Sequence, residues 1–130
     1  MTLNVLVAED DKMWQGLHKM IFRERGIDAV IVGDLESALK VAKDEKFDLY
    51  VTDGSYPAHP GDFEENGMCY NFYQKIKEIN PEAKIVLVSG MEYGFDSPTM
   101  KEKYPDMTYV SKGVFYQKID ELLKTIEVGK

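Results

Sequence analysis

Short apolar runs alternate along this chain with stretches in which apolar residues recur at helical spacing. The runs cover residues 5–8, 29–32, 49–52, 85–88 and 108–110. Each contains β-branched residues and no charged ones, which is typical of strands that are covered on both faces of a sheet. The alternation predicts five β-α units, and therefore a parallel sheet with helices on both faces.

Four of the helices are marked by apolar residues on one side. In chain order these are Met13, Leu17, Met20 and Ile21; Leu35, Ala38, Leu39 and Ala42; Met68, Phe72, Ile76 and Ile79; and Phe115, Ile119, Leu122 and Ile126. Gly26 is placed to close the first helix, Asp34 to cap the second and Pro81 to stop the third.

The remaining helix, between the fourth and fifth strands, is predicted to be short or irregular. Its segment holds Gly90, Gly94, Pro98 and Pro105. A helix there would have Ser97 as its N-cap and Pro98 at its first position, where a missing N–H is tolerated. Pro105 would end it after about two turns.

Acidic residues stand directly after two of the predicted strands. Glu9, Asp10 and Asp11 follow the first strand, and Asp53 follows the third. If these strands are neighbours, the carboxylates converge at the edge where open α/β sheets bind ligands. Carboxylates that close repel one another unless a proton or a cation intervenes. The pattern therefore predicts a site for a hard, oxygen-seeking divalent ion such as Mg²⁺.

Size and charge argue against several other classes of protein. The chain has 130 residues, enough for one domain with its own core, and a net charge of −7. That charge disfavours nonspecific binding to nucleic acid or to a membrane, both of which require a basic face. A single cysteine excludes an internal disulfide, and no apolar stretch reaches membrane-spanning length. We therefore expect a cytoplasmic protein.

The polar residues at the strand ends resemble those of the receiver domain of two-component response regulators, over essentially the whole of residues 1–130. The matching features are Glu9-Asp10 after the first strand, Asp53 in Thr52-Asp53-Gly54-Ser55-Tyr56-Pro57, Ser89 after the fourth strand, Lys112 after the fifth and Tyr109 three residues before it. The resemblance implies a flavodoxin-like, doubly wound α/β fold whose five-stranded parallel sheet has the order 2-1-3-4-5. It also implies a stand-alone receiver similar to the chemotaxis Y protein.

The resemblance further implies the chemistry of the acidic residues. Asp53 would attack phosphorus and form an acyl phosphate. Mg²⁺ would neutralise charge between the two anions, held by Asp10, Asp53 and the backbone carbonyl of Ser55, and by Glu9 through water. The phosphoryl group would come from a histidine kinase or a histidine phosphotransfer protein. Such a protein is a signalling phosphoacceptor rather than an enzyme, beyond catalysing its own phosphorylation and dephosphorylation.

Three further residues would complete the switch. By resemblance, Lys112 places a positive charge against the phosphoryl oxygens and Ser89 donates a hydroxyl to them. After phosphorylation Ser89 would be pulled towards the new oxygens, and Tyr109 would rotate inward and change the outer face. The signal would leave through contact with a downstream protein, which the sequence does not specify, as it does not specify the oligomeric state.

The chain departs from the family's pattern at three places. Gly113 follows Lys112 where the family usually has proline, often after a cis bond, so a trans bond here would place Lys112 differently. Gly90 replaces a small residue that has a side chain, which loosens its loop. The predicted fourth helix is irregular, whereas the family commonly uses the face of helix four, strand five and helix five for output, so the partner cannot be inferred from better-known members. Apart from these departures, residues 55–66 form a long, turn-rich loop that could gate the site or provide an extra contact surface.

The same residues also have purely structural explanations. Asp53 and Ser89 can belong to turns, and the acidic run after the first strand can cap the first helix. Lys112 can be a solvated loop residue and Tyr109 a half-exposed strand residue. Trp14 is assigned to packing, and both histidines, His18 and His59, are expected at the surface.

Other functions of an α/β sheet fit less well. A haloacid-dehalogenase-type phosphatase requires a second acid two residues after its nucleophile, where this chain has Ser55. A toprim-type nuclease requires an Asp-x-Asp pair at the third strand, which this chain lacks. In a flavodoxin-like electron carrier, the acidic run would repel the cofactor phosphate. The remaining alternative is a pseudo-receiver, an interaction module without phosphorylation, and the complete set of family residues favours the phosphorylated switch over it.

Overall fold

The computed structural model describes residues 3–90 and 98–128, in which strands and helices alternate. In chain order the elements are β1 (Val5–Ala8), α1 (Lys12–Arg23), β2 (Val30–Val32), α2 (Leu35–Asp44), β3 (Leu49–Thr52), β4 (Ser55–Tyr56), β5 (Glu65–Asn66), α3 (Met68–Ile79), β6 (Ile85–Ser89), α4 (Pro98–Lys103), β7 (Met107–Ser111), a 3₁₀ turn (Lys112–Val114) and α5 (Phe115–Val128).

Five of these strands form one parallel sheet in the order β2-β1-β3-β6-β7. Counted among themselves, the five strands have the order 2-1-3-4-5, so the predicted flavodoxin-like α/β fold is confirmed. Val7 of β1 pairs with Ile31 on one side and with Val51 on the other. Strand order reverses beside β1, which opens a crevice at the carboxyl ends of β1 and β3.

The sheet is covered on both faces, so its strands bury alternate residues in two separate cores. Val5 and Val7 of β1 belong to the core shared with α1 and α5. Leu6 and Ala8 belong to the core shared with α2 and α3. All four side chains are fully buried, which explains why the sequence shows uninterrupted apolar runs.

The buried face of α1 differs from the predicted one. Met13 and Met20, which the spacing assigned to the core, are 65% and 46% exposed, whereas His18 is 1% exposed. The prediction was wrong because it treated His18 as a surface residue. Its ring in fact packs against Trp14 and Phe115, with centroids 5.7 and 5.2 Å away. The fully buried residues of α1 are His18, Ile21 and Phe22.

Residues 55–66 form a long, turn-rich loop that two short antiparallel strands at its ends close into a small hairpin. β4 pairs with β5, and Ser55 Oγ donates a hydrogen bond to Asn66 Oδ1 at 3.1 Å. Between the two strands, the carbonyls of Pro57 and Ala58 accept the first two backbone N–H groups of α2, each at 3.0 Å. We call residues 55–66 the site hairpin, because β4 begins two residues after Asp53.

The described helices are 6 to 14 residues long. The shortest is α4, as predicted, and it begins at Pro98 and ends before Pro105. The N-cap predicted at Ser97 lies outside the described residues, as does Gly94. Among the described helices, none has both the length and the apolar character needed to cross a membrane.

Candidate functional site

The ends of β1 and β3 bring three acidic side chains together. The strand register pairs Ala8 with Thr52, so the next residues, Glu9 and Asp53, leave the sheet side by side. The backbone N–H of Asp53 donates to the Ala8 carbonyl at 2.9 Å. One carboxylate oxygen from each of Glu9, Asp10 and Asp53 lies within 4.8 Å of the others. The convergence that the sequence predicted is therefore present in the structure.

Asp11, the third acid of the run after β1, has a different place. It is the N-cap of α1, and its Oδ1 accepts the backbone N–H of Trp14 at 3.0 Å. Such a cap satisfies one of the otherwise unpaired donors in the first helical turn. The helix-capping explanation therefore holds for Asp11, whereas Glu9 and Asp10 face the site.

Glu9 is the most deeply buried of the three acids. Its side chain is 1% exposed, and its Oε2 accepts the backbone N–H of Asp11 at 3.2 Å. Burial penalises the charged form and raises the pKa of Glu9 to about 7, with help from the Asp53 charge and against the effect of Lys112. Burial likewise raises the pKa of Asp10, to which the Asp53 charge contributes. The proton occupancy of Glu9 therefore changes near neutral pH.

Lys112 supplies the positive charge of the site. Its Nζ lies 2.9 Å from Glu9 Oε1 and 3.3 Å from Asp53 Oδ2. Burial lowers the pKa of Lys112, but the two carboxylates outweigh burial and raise it overall, so the ammonium group stays charged. The described residues contain no cis peptide bond, so the bond between Lys112 and Gly113 is trans. With that bond trans, Lys112 still reaches both acids.

Ser89 and Tyr109 lie on neighbouring strands beside the acidic group. Ser89 ends β6 and is buried. A β-carbon added at Gly54 would lie 3.1 Å from Ser89 Oγ, so this hydroxyl stands against the backbone that follows Asp53. Tyr109 Oη donates a hydrogen bond to the Ser89 carbonyl at 3.3 Å. The structure thus places both residues at the site, and their role as a switch stays a prediction.

The site hairpin also carries an exposed acid, Glu64, which is outside the group of three converging carboxylates. Glu64, directly before β5, has a pKa raised by burial and by the charges of Asp10 and Asp53. The hydroxyl of Ser55 points into the hairpin, towards Asn66. The role that the resemblance gives to the Ser55 carbonyl stays a prediction.

Trp14 is a site residue that sequence reasoning missed. The centroid of its ring lies 5.0 Å from Lys112 Nζ. The available signal was its place in the first turn of the helix that directly follows the acidic run, which puts it near the carboxyl end of β1. Nothing in the sequence connects it to Lys112, which is distant along the chain.

The acidic group fits Mg²⁺ by its chemistry. Carboxylate oxygens are the ligands that this ion prefers in proteins, and Glu9, Asp10 and Asp53 each offer one within a small space. Burial and the Asp53 charge raise the pKa of Glu9 and of Asp10, and the positive charge of Lys112 only partly offsets these two effects. A bound divalent cation would favour the ionised forms of both acids.

Comparison with curated proteins finds one pair of relatives. No protein-family model matches the chain. The autoinducer 1 sensor kinase/phosphatase LuxN from Vibrio campbellii and that from Vibrio harveyi are each 28% identical to it over 86 residues. The match covers 66% of this chain and only 9% of each relative.

Comparison with solved structures finds the same fold repeatedly. A CheY-like response regulator receiver domain protein from Methanospirillum hungatei matches with a TM-score of 0.77 and 21% identity, covering 100% of both chains. Chemotaxis protein CheY4 from Vibrio cholerae matches with a TM-score of 0.77 and 13% identity, over 97% of this chain and 99% of that one.

A third structure carries a metal ion. It is the receiver domain of a sensor histidine kinase from Pseudomonas aeruginosa, with magnesium coordinated in its active site cleft. It matches with a TM-score of 0.73 and 15% identity and covers 100% of both chains. These three likenesses extend over nearly the full length of the described sheet and helices. The chain has the CheY-like fold of response regulator receiver domains.

Proposed function

We propose that this chain is a response regulator receiver that accepts a phosphoryl group on Asp53 with the help of Mg²⁺. The observation that carries the proposal is the convergence of Glu9, Asp10 and Asp53 at one end of a receiver-type sheet, with Lys112 in contact with two of them. Residues 1–130 would constitute the receiver domain. The magnesium-bound receiver domain from Pseudomonas aeruginosa supports the choice of metal.

The proposed reaction begins with Asp53 as nucleophile. One of its carboxylate oxygens forms a bond to the phosphorus of a phosphohistidine while the bond from phosphorus to the imidazole nitrogen breaks, and that nitrogen keeps the electron pair. Mg²⁺, bound by Glu9, Asp10, Asp53 and the Ser55 carbonyl, would neutralise charge between the reacting anions. Glu9 must lose its proton to serve in this set, because only the ionised carboxylate is a strong ligand.

Lys112 and Ser89 complete the phosphoryl site in this proposal. The ammonium group of Lys112 already contacts Asp53 Oδ2 at 3.3 Å, so a phosphoryl group on that side of Asp53 would take over one of its hydrogen bonds. The hydroxyl of Ser89 stands against Gly54, the residue that follows Asp53, and would donate to the same group. Both residues would compensate the charge that the acyl phosphate adds.

Tyr109 would transmit the change to the surface. Its ring lines a narrow pocket together with Tyr70 of α3 and Tyr104, which follows α4. Movement of Ser89 towards the phosphoryl group would disturb the hydrogen bond that Tyr109 makes to the Ser89 carbonyl. The face formed by α4, β7 and α5 would then change, and a downstream protein would read that change.

The partners follow from the same proposal. The phosphoryl group would come from a histidine kinase or a histidine phosphotransfer protein, and the match to sensor kinase/phosphatases from Vibrio is consistent with a place in phosphoryl signalling. The chain would act on no other substrate than its own Asp53. A cytoplasmic location belongs to the proposal, since Cys69 is a free, buried thiol as expected in a reducing compartment.

Labelling with a small phosphodonor tests the proposal directly. Wild-type protein incubated with Mg²⁺ and acetyl phosphate should gain the mass of one phosphoryl group, and a chelator should prevent the gain. Asp53→Asn should take no label. Asp120→Asn is the matched control, because Asp120 pairs with Arg25 on the exposed surface. A wild type that stays unlabelled at saturating donor and Mg²⁺ would instead identify the chain as a pseudo-receiver, which works through contacts alone.

A further inference from the structure

Trp14 presents the face of its indole ring to the ammonium group of Lys112. The distance from Lys112 Nζ to the ring centroid is 5.0 Å. A cation over the face of tryptophan is attracted by the ring quadrupole, and tryptophan gives the strongest such contact among the aromatic residues. We propose that Trp14 is a positioning residue that holds the Lys112 ammonium group ready for phosphoryl transfer to Asp53, an inference that rests on the function proposed above.

The indole contact complements the two ion pairs of Lys112 instead of competing with them. Glu9 Oε1 lies 2.9 Å from Nζ as an ion-pair partner, and Asp53 Oδ2 accepts a hydrogen bond from Nζ at 3.3 Å. The ring face needs no hydrogen bond from the ammonium group. Lys112 can therefore exchange one oxygen acceptor for another, from the carboxylate to a phosphoryl oxygen, while the indole continues to hold it in the site.

The backbone at Lys112 is anchored, since its carbonyl accepts the N–H of Phe115, but this does not fix the direction of the long side chain. Lys112 begins a short 3₁₀ turn whose N-cap, Ser111, makes no side-chain cap hydrogen bond. The next residue is Gly113, and a β-carbon there would meet Ser111 Oγ only at an ordinary 3.8 Å. Glycine widens the backbone freedom at this point. A flexible lysine on such a turn depends on its side-chain contacts for its position.

Trp14 itself is well fixed. Its backbone N–H donates to the cap residue Asp11 at 3.0 Å. Its ring packs on the buried ring of His18, and His18 in turn contacts Phe115, the first residue of α5, edge to face. Burial lowers the pKa of His18 to about 4, so this ring is neutral and does not repel Lys112. The row of three rings joins α1 to the start of α5, beside the turn that carries Lys112.

Two substitutions of Trp14 separate positioning from simple packing. Trp14→Leu keeps an apolar side chain but removes the ring face, whereas Trp14→Phe keeps a weaker one. With Mg²⁺ and acetyl phosphate, Trp14→Leu should lower the labelling rate constant of Asp53 roughly three- to tenfold. Trp14→Phe should recover most of that loss.

A matched control uses a second cation–aromatic contact in the same chain. Arg25 lies 5.6 Å from the ring centroid of Tyr116, whose hydroxyl contacts Glu24 rather than the acidic group. Tyr116→Leu therefore removes an equivalent contact and should leave the labelling rate within about twofold of wild type. A similar loss in Tyr116→Leu and Trp14→Leu would show a general structural effect and overturn the positioning role.

A spectroscopic measurement tests the contact without any phosphorylation. Protons on the Lys112 side chain above the indole face should resonate upfield of the other lysines in NMR spectra, and Trp14→Leu should remove that shift. An ordinary Lys112 resonance in the wild type overturns the inference. Labelling of Trp14→Leu at the wild-type rate also overturns it and leaves the proposed function standing. Failure of the wild type to be labelled refutes the proposed function, and the positioning role with it.

Discussion

Glu9 Oε1 and Lys112 Nζ lie 2.9 Å apart, and the carboxylate of this pair is almost completely shielded from water. Lys112 is the positive partner of two carboxylates at once, since Asp53 Oδ2 is 3.3 Å away. With Asp10 adjacent, the acidic group carries more negative charge than one ammonium group can balance. The site therefore has an inherent tendency to take up a proton or a cation, and its properties should vary with pH.

Magnesium affinity should rise with pH through neutrality. Glu9 has a pKa of about 7, so it holds a proton below that pH and is ionised above it. The ratio of ionised fractions predicts binding about tenfold weaker at pH 6 than at pH 8. Calorimetric titration of the wild type at both pH values measures this. Glu9→Gln should flatten the dependence, and equal wild-type affinity at pH 6 and pH 8 would contradict the prediction.

Removal of Lys112 should move the titration of Glu9 to higher pH. Burial raises the pKa of Glu9 and Lys112 opposes that effect, so Lys112→Met leaves the effect of burial uncompensated. NMR titration of the Glu9 side-chain carboxyl carbon should give a midpoint above that of the wild type. Lys118→Met, which removes an exposed lysine near Glu121, is the control and should not change the midpoint. A lower midpoint in Lys112→Met would argue against the ion pair.

Asp53→Asn should stabilise the protein when no divalent cation is present. The charge of Asp53 raises the pKa of both Glu9 and Asp10, which means that the ionised forms repel one another in the folded state. Above its pKa of about 7 Glu9 is ionised and is repelled by the Asp53 charge, so at pH 8 the substitution should raise the free energy of unfolding by about 1 kcal/mol.

A lower pH and added Mg²⁺ provide two controls for the prediction on Asp53→Asn. At pH 5 Glu9 keeps its proton, so the gain from Asp53→Asn should shrink. Added Mg²⁺ should also reduce it, because the cation stabilises the wild type more than the variant. Thermal unfolding followed by circular dichroism compares the stability of wild type and variant under these three conditions. A destabilised Asp53→Asn at pH 8 without Mg²⁺ would mean that Lys112 already compensates the acidic group.

Gly67 and Gly113 should respond differently to alanine. Gly67 joins the site hairpin to α3 with φ of 77°, and a β-carbon there would approach Tyr70 to 3.3 Å. Gly67→Ala should therefore lower the free energy of unfolding by about 1–2 kcal/mol. Gly113 does not have positive φ and has room for a β-carbon, so Gly113→Ala should be neutral or stabilising by up to about 1 kcal/mol. Urea unfolding of the two variants measures the contrast.

The strands of the sheet were predictable because burial on both faces leaves a strong signal. The bounds of β1 and β3 agree with the predicted runs, and the other three strands of the sheet differ from theirs by at most one residue at either end. Since parallel strands end at one edge, the place of Glu9, Asp10 and Asp53 followed from their position after β1 and β3. Their chemical roles remain predictions, because position alone does not show reactivity.

Other features of the structure have no comparable signal in the sequence. The buried face of α1 was predicted wrongly because His18 is polar by type and buried among aromatic rings by context. The two strands of the site hairpin are short, and their register pairs two polar residues, Ser55 and Asn66. They therefore lack the apolar alternation that marks a strand. The contact between Trp14 and Lys112 joins residues from opposite ends of the chain, which no local pattern can encode.

The first turn of α2 depends on hydrogen bonds to residues that come much later in the chain. Asp34 provides acceptors for Ser37 and Ala38, but the N–H groups of Leu35 and Glu36 donate to carbonyls of the site hairpin. A deletion that shortened these twelve residues to a tight turn would leave the N–H groups of Leu35 and Glu36 without these acceptors at the beginning of α2. A natural or engineered deletion in the site hairpin would therefore need other acceptors for the N-terminus of α2, even if every residue around Asp53 were unchanged.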